Sequence, residues 1–500
     1  MPAQVTTRAQ VNGYRFLIRR LEHALIRGDS RMIHDPMRGQ MRALIVGLVI
    51  AVVITGGCGV MAFFKPAPNM GDAQILLSKS SGAAYVRIGD RVHPVLNLAS
   101  ARLIVGKNDS PKDVDDKFLN TVPRGPMVGI VGAPASIRGA DDMSMSSWTV
   151  CDILQTPGAT ETTGATTLQT TVLANDPVLD GDIRAAGPAE AILTEAGGRT
   201  YLVYDGVRAP IDLSDVVVVN GLHLQGAQLR PMSLGLLNAF PLVDPITPVT
   251  IDGEGEPSAV VGPDYPIGSI VKTVDSRGEQ LYVVLRDGLQ PISPATADII
   301  RYGDADAARA SAREIAPSIV AGVPIVHQLA VDHYPAVSPQ TVSPIPDPVL
   351  CMGWQRANAM AHAKVRLIVG NKLPVPSGAD AVQLATTDGS GPGLDAVYMT
   401  PGAGEYVQAT GVEPDSQSTG PLFYVSDTGL RYHIKDLPTA DALGVVGAKV
   451  PGQQSATAQL APWPVLSLLP SGPELSQEAA LVAHDGVAPD PNSVAVPKPQ

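Results

Sequence analysis

From Thr7 to Gly28 the apolar residues Val11, Tyr14, Leu17, Ile18, Leu21, Leu25 and Ile26 recur at steps of three and four, with Arg8, Arg15, Arg19, Arg20 and Arg27 between them. This period predicts an amphipathic basic helix that ends at Gly28. It suits either anionic lipid headgroups or a cytoplasmic partner protein. A different pattern follows. Ala43 to Phe64 is an uncharged run of 22 residues, about 33 Å as a helix, which matches the hydrocarbon thickness of a bilayer. Arg38 and Arg42 flank one end and Lys65-Pro66 the other. A transmembrane helix is expected, and the positive-inside rule puts residues 1–42 in the cytoplasm and residues 65–500 outside it. The region before the run is too long for a cleaved signal peptide. Thr55-Gly56-Gly57-Cys58 is a poor lipoprotein box, because Thr55 stands where a branched apolar residue belongs. Cys58 therefore reads as a small apolar residue of the membrane helix.

Beyond the membrane the periodicity turns to short strands and turns. Tyr85 and Pro94, Tyr201 and Pro210, and Tyr282 and Pro291 each stand nine residues apart around a turn rich in Gly and Asp, the chemistry of a hairpin. Tyr424 begins a fourth copy, with His433 in place of Pro. A Gly follows each unit (Gly106, Gly221, Gly303, Gly444), closing expected helices at Asn97–Val105, Ser214–Asn220, Ala295–Tyr302 and Thr439–Leu443. The tyrosines are spaced by 116, 81 and 142 residues, too irregular for a propeller or solenoid. Four small hairpin-helix modules fit better.

The two longer intervals carry further strand-like segments, Met127–Ile130 with Thr149–Ile153 and Val365–Val369 with Ala396–Thr400. These insertions are expected to pair as a discontinuous central domain. The expected fold class is α+β, a single transmembrane helix with an elongated extracytoplasmic region. In chain order it comprises a cytoplasmic helix (1–42), the anchor (43–64), repeat 1 (65–124), the first stretch of the central domain (125–195), repeats 2 and 3 (196–324), the second stretch of the central domain (325–415) and repeat 4 (416–485). Repeats 1 and 4 lie at the ends of this arrangement, and a Pro-rich tail (486–500) is expected to be disordered.

Composition and charge sharpen this picture. The 500 residues include 49 Gly and 45 Pro, too many for an all-helical bundle, since each costs about 1 to 3 kcal/mol in a helix interior. The net charge of −12 divides into +5 over residues 1–43 and −17 over the rest, so nucleic-acid binding by the acidic body is not expected. Cys151 and Cys351 lie in the oxidising compartment and are expected to form a disulfide, with two free thiols or an intermolecular link as alternatives. Trp148 and Trp354, three residues from either Cys, suggest that the bridge sits beneath large apolar side chains.

Catalytic chemistry is hard to find. A phosphate-cradling loop needs Gly-x-x-x-x-Gly-Lys-Ser/Thr; Gly106-Lys107-Asn108 lacks the earlier Gly and the hydroxyl, and Gly402-Ala403-Gly404 opens no helix. There is no Gly-x-Ser-x-Gly elbow and no His-Glu-x-x-His pair. His327, Asp332 and His333 have neither helical nor zinc-finger spacing, and hydrogen bonding at the surface or between repeats explains them as well. No catalytic, cofactor or metal residues are therefore assigned.

Six segments resemble a known family: Gln10–Ala24, Val92–Gly106, Pro123–Pro134, Trp148–Asp152, Asp287–Ser293 and Leu475–Asp485. Together, over residues 5 to 486, they are similar to EccB, a core membrane component of the mycobacterial type VII (ESX) secretion systems. The resemblance implies a cytoplasmic N-terminus, one transmembrane helix and a periplasmic region of four repeats around a disulfide-stabilised central domain. It also implies a hexameric inner-membrane complex with the ATPase EccC, with EccD and EccE, and with the mycosin protease. Family members sometimes carry an ATPase label, for which this sequence lacks the loop. The expected role is therefore a structural and assembly subunit that stabilises the channel. The alternatives are a membrane-anchored hydrolase acting on nucleotides or cell wall, or a module that binds peptidoglycan or secreted substrates.

Overall fold

A computed structural model describes residues 6–31, 36–63, 72–134, 137, 145–155, 167–276, 278–304, 311–357, 360–387, 393–445 and 458–487. The chain divides into two compact units, Met1–Gly71 and Asp72–Gln500. Phe64, Lys65 and Pro66 and residues 488–500 of the Pro-rich tail lie outside the described residues.

In the first unit a helix runs Arg8–Arg27, with Thr7 before it and Gly28 after it in the left-handed conformation at φ 65°. Thr7 N–H donates to Gln10 Oε1 at 3.0 Å, and Gly28 N–H donates to Ala24 O at 2.9 Å, so both ends satisfy otherwise free backbone groups. A second helix, Pro36–Phe63, begins earlier than its apolar run, and Gly39–Met61 is long and apolar enough to cross a membrane. Cys58 is exposed on it.

The second unit holds four four-stranded sheets that share one strand order. In each, a three-strand antiparallel meander receives a fourth strand in parallel. Ile75–Ser78, Ala84–Ile88 and Arg91–Pro94 take Lys112–Val114. Glu190–Ala196, Arg199–Tyr204 and Val207–Ile211 take Gln340–Thr341. Ile270–Asp275, Gly278–Val284 and Leu289–Ile292 take Arg313–Glu314, and Glu405–Thr410, Leu422–Val425 and Arg431–Ile434 take Gln459–Pro462. Tyr85, Tyr201 and Tyr282 lie opposite Pro94, Pro210 and Pro291. Asp205 and Gly206 turn the second hairpin with φ of 44° and 76°, the pair of positive values a tight two-residue loop requires.

The fourth hairpin differs by one residue. His433 faces Phe423, and Tyr424 faces Tyr432, because the connection Ser426–Leu430 has an odd number of residues and reverses the pairing parity of the other three. The helices are Leu98–Val105, Val216–Gly221, Pro294–Gly303 and Leu437–Leu443, each preceded by Asn97, Asp215, Ser293 or Asp436 accepting from a first-turn amide. Gly106 and Gly444 close their helices in the left-handed region at φ 71° and 76°. Gly221 and Gly303 instead remain within theirs. At Gly221 the reason is proximity: a Cβ there would lie 2.6 Å from Ile299 Cα, on the helix packed against it.

The second and third sheets share one core, with Leu202, Val218, Ile270, Ile292 and Ile299 among its residues. The first and fourth share another, built from Ile75, Val86, Leu103, Tyr406, Ile434 and Leu443. Sheets one and four are therefore joined and do not form two separate ends. Arg102 Nη1 donating to Leu443 O at 3.0 Å and Gln477 Nε2 donating to Ile104 O at 3.2 Å cross the same junction.

A fifth, seven-stranded sheet brings Met145–Gln155 between Thr167–Leu173 and Val349–Ala357. Lys364–Gly370 and Ile183–Ala185 extend one side, and Ala396–Tyr398 and Val382–Gln383 the other. The expected strand Met127–Ile130 is absent from it: Met127–Val128 pairs with Ala483–His484. Apolar residues on both faces, Val150 and Val172 on one and Leu173 and Ile368 on the other, explain why the sheet is buried from two sides.

Candidate functional site

The longest ladder among the described residues joins Met145–Gln155 to Val349–Ala357, and the polar and covalent features of the central sheet gather on it. Cys151 is the cross-strand partner of Cys351, with Cα atoms 4.0 Å apart and the sulfurs bonded at 2.04 Å. Trp148 is the partner of Trp354. The tryptophans do not cover the bridge as expected, because side chains alternate between faces and an offset of three is odd. The indoles belong to the core of Val150, Met352, Leu236 and Phe240, whereas the bridge packs among Leu173, Ile183, Val349 and Ile368. Trp148 Nε1 donates to Ser146 Oγ at 3.0 Å, while Trp354 Nε1 is buried without an acceptor.

Asp152 follows the Cys and so returns to the tryptophan face, 2% exposed. Its Oδ2 accepts from Ser233 N–H at 2.6 Å, and its Oδ1 accepts from Ser233 Oγ at 2.8 Å and Thr170 Oγ1 at 2.9 Å. Ser233 is also the cap of the helix Leu234–Ala239, its Oγ accepting from Leu236 N–H at 3.0 Å. One carboxyl thus fastens a helix and a neighbouring strand to the central ladder. Burial pushes Asp152 up to about 6, opposed by these donors and by Arg230. Burial likewise lowers Arg230 to about 10; it donates from Nη2 to Asp347 O at 2.5 Å, with Nε and Nη1 buried and unpaired. The cluster locks elements together, with the Ser233 and Thr170 hydroxyls buried and committed to Asp152. Its signal in the sequence is a lone Asp in an apolar strand, which does not reveal Ser233 as its partner.

A second group with a raised carboxyl, Glu405, begins the strand Glu405–Thr410 of the fourth small sheet and lies beside the Met145 end of the central ladder. Glu405 borders a cavity of about 260 Å³ with Ser147, Asn175, Asp176 and Thr400, and burial pushes its carboxyl up to about 7.

The other sequence candidates stay apart. His327 and Asp332 are exposed. The His333 ring packs edge-on against Tyr334 with centroids 4.8 Å apart, its Nε2 is buried and unpaired, and its carbonyl accepts from Tyr204 Oη. Among the described residues no three His, Cys, Asp or Glu side chains group to hold a metal ion. Gly106 and Lys107 follow the C-terminus of a helix, the end whose dipole repels phosphate. Gly402 N–H is taken by Asp427 Oδ2 at 2.8 Å.

Residues 3–489 match the family model described as type VII secretion system ESX-1, transport TM domain B. The ESX-3 secretion system ATPase EccB3 of Mycobacterium tuberculosis is 38% identical over 502 residues, covering 97% of this chain and 90% of the relative. The ESX-5 secretion system ATPase EccB5 of the same organism is 35% identical, covering 99% and 97%. Among solved structures, a chain of the intact ESX-5 inner membrane complex aligns with a TM-score of 0.69 at 33% identity, covering 99% of both chains. A chain of the EccB3 dimer from the ESX-3 core complex aligns at 0.67 and 35%, covering 82% of this chain and 100% of that one. A match of this extent, carried by both sequence and fold, makes the chain a member of the EccB family of type VII secretion proteins.

Proposed function

We propose that the protein is a structural subunit of an inner-membrane ESX secretion complex. The observation that carries this reading is its alignment along 99% of its length to a chain of the intact ESX-5 inner membrane complex. In this role the Pro36–Phe63 helix is the anchor, the arginine-rich N-terminal helix faces the cytoplasm, and the second unit lies in the periplasm, where its disulfide is stable. The four sheets act as repeats of one hairpin-helix module around the disulfide-linked central sheet. Copies associate with one another in a hexameric assembly, with the EccC ATPase, EccD, EccE and mycosin as partners.

Native mass spectrometry of gently solubilised membranes tests this. Recovery in a large multi-subunit assembly is the expected result, and recovery as a lone monomer would overturn it. Protease treatment of sealed cells tests the orientation, with the second unit cleaved from outside once the envelope is permeabilised.

A hydrolase reading has one specific support, the word ATPase in the names of the relatives. ATP turnover by the purified chain that a point substitution in a defined pocket abolishes would favour it over the scaffold.

A further inference from the structure

Trp463 is 42% exposed, although Phe423 stacks on it with centroids 5.9 Å apart and the Arg431 guanidinium lies 5.1 Å from its centroid. This support fixes the indole as a wall. Pro464, Pro421 and buried Val412 complete a largely apolar groove of about 490 Å³, with exposed Glu413 at its rim. Rigid grooves walled by aromatic and proline rings suit proline-rich segments, whose extended helix is already formed and loses little entropy on docking.

The chain carries such a segment. Thirteen residues follow Val487, the last described residue, and they include Pro489, Pro491 and the terminal run Val494-Ala495-Val496-Pro497-Lys498-Pro499. Lys498, between two prolines, supplies the charge complementary to Glu413. The length of the segment favours docking within one chain. The described chain leaves the fourth sheet at Leu475, beside Ile434, and Ala483–His484 then pair with Met127–Val128 before the chain reaches Val487. Residues 488–497 span about 31 Å as a polyproline helix.

We propose that the C-terminal residues 488–500 dock in the groove of Val412, Pro421, Trp463 and Pro464 of the same chain, with Lys498 against Glu413.

Zero-length carbodiimide coupling of the full chain in detergent, on an equal mixture of light and heavy isotope-labelled protein, reads this directly. The expected product is a Glu413–Lys498 linked peptide containing only light–light and heavy–heavy pairs. Replacing both prolines, Pro497→Gly with Pro499→Gly, leaves the folded body intact and should reduce that product about tenfold by removing the two rings that fit the aromatic wall. A chain ending at Val487 should show red-shifted tryptophan emission, reversed by a synthetic peptide of residues 488–500. Lys498 coupling to other carboxylates but not to Glu413 would overturn the proposal. Mixed light–heavy links would overturn docking within one chain and assign the groove to a second copy.

Discussion

Trp148 and Trp354 face each other three rungs along the same antiparallel ladder from the bridged Cys151 and Cys351, and the odd interval puts the indole pair and the disulfide on opposite sides of the sheet. The two features therefore stabilise separate cores and respond independently to substitution. Trp148→Phe removes a hydrogen bond to Ser146, whereas Trp354→Phe removes an N–H that has no acceptor. Both lose ring volume, but the first should cost about 1 kcal/mol more. Chemical denaturation of the two variants checks the order, and equal losses would contradict the assignment of the donors.

Replacing Cys151 or Cys351 with Ser should lower the thermal midpoint by several degrees, given about 2 to 5 kcal/mol for a native disulfide. Thiol titration of the unreduced, unfolded wild-type chain should find one reactive group, Cys58. Three would show that the bridge is not formed.

Asp152→Asn keeps an acceptor for Ser233 N–H but puts a donor where Ser233 Oγ and Thr170 Oγ1 donate, so both hydroxyls must turn to accept from it. A loss of about 1 to 3 kcal/mol is expected for a buried network whose donors and acceptors no longer match. The pH dependence adds a second readout. Because burial raises the folded carboxyl to about 6, the folded state holds the proton more tightly than the unfolded chain. The wild type should lose stability as pH rises from about 4 to 6, a slope the variant lacks. Melting curves across that range measure the difference.

Glu405 follows the same sign in a higher window. Its folded carboxyl is pushed up to about 7, so ionising it weakens the fold as pH climbs from about 4.3 to 7. Glu405→Gln should match the wild type near pH 4 and melt higher at pH 8. A variant that melts lower at pH 8 would show that the carboxylate has a stabilising partner.

Gly221→Ala should be among the costliest single-methyl additions, about 1 to 3 kcal/mol, since the new carbon meets the backbone of Ile299, Cα at 2.6 Å and N at 2.8 Å, as well as its Cγ1. Gly106→Ala meets no neighbour within 4 Å, and its cost comes only from the left-handed φ of 71°. Comparing the two by denaturation separates crowding from backbone strain.

The legible features of the fold were those written locally. The apolar run of the membrane helix, the amphipathic period before it, and the Tyr-to-Pro hairpins with their Gly and Asp turns each depend on residues contiguous in the chain. Even there, the fourth hairpin was misaligned by one residue, since Tyr424 resembles the other tyrosines although the longer turn puts Phe423 in their place. Pairings across distance were not legible. Met127–Val128 looked like a central strand, yet its partner is at Ala483–His484. Asp152 meets Ser233 81 positions later, and nothing in either residue announces the other. The bridge could be anticipated because few thiols were available, but the burial environment required the strand register.

The central ladder also sets an order of events during synthesis. Met145–Gln155 pairs with Thr167–Leu173 soon after both emerge, but its other edge waits for Val349–Ala357, about two hundred residues later. Gln340–Thr341 likewise completes the sheet begun at Glu190–Ala196 only after the whole third sheet has appeared. Until Val349–Ala357 arrives the growing chain carries open strand edges and an unpaired Cys151, so those two hundred residues mark the interval of greatest exposure to aggregation.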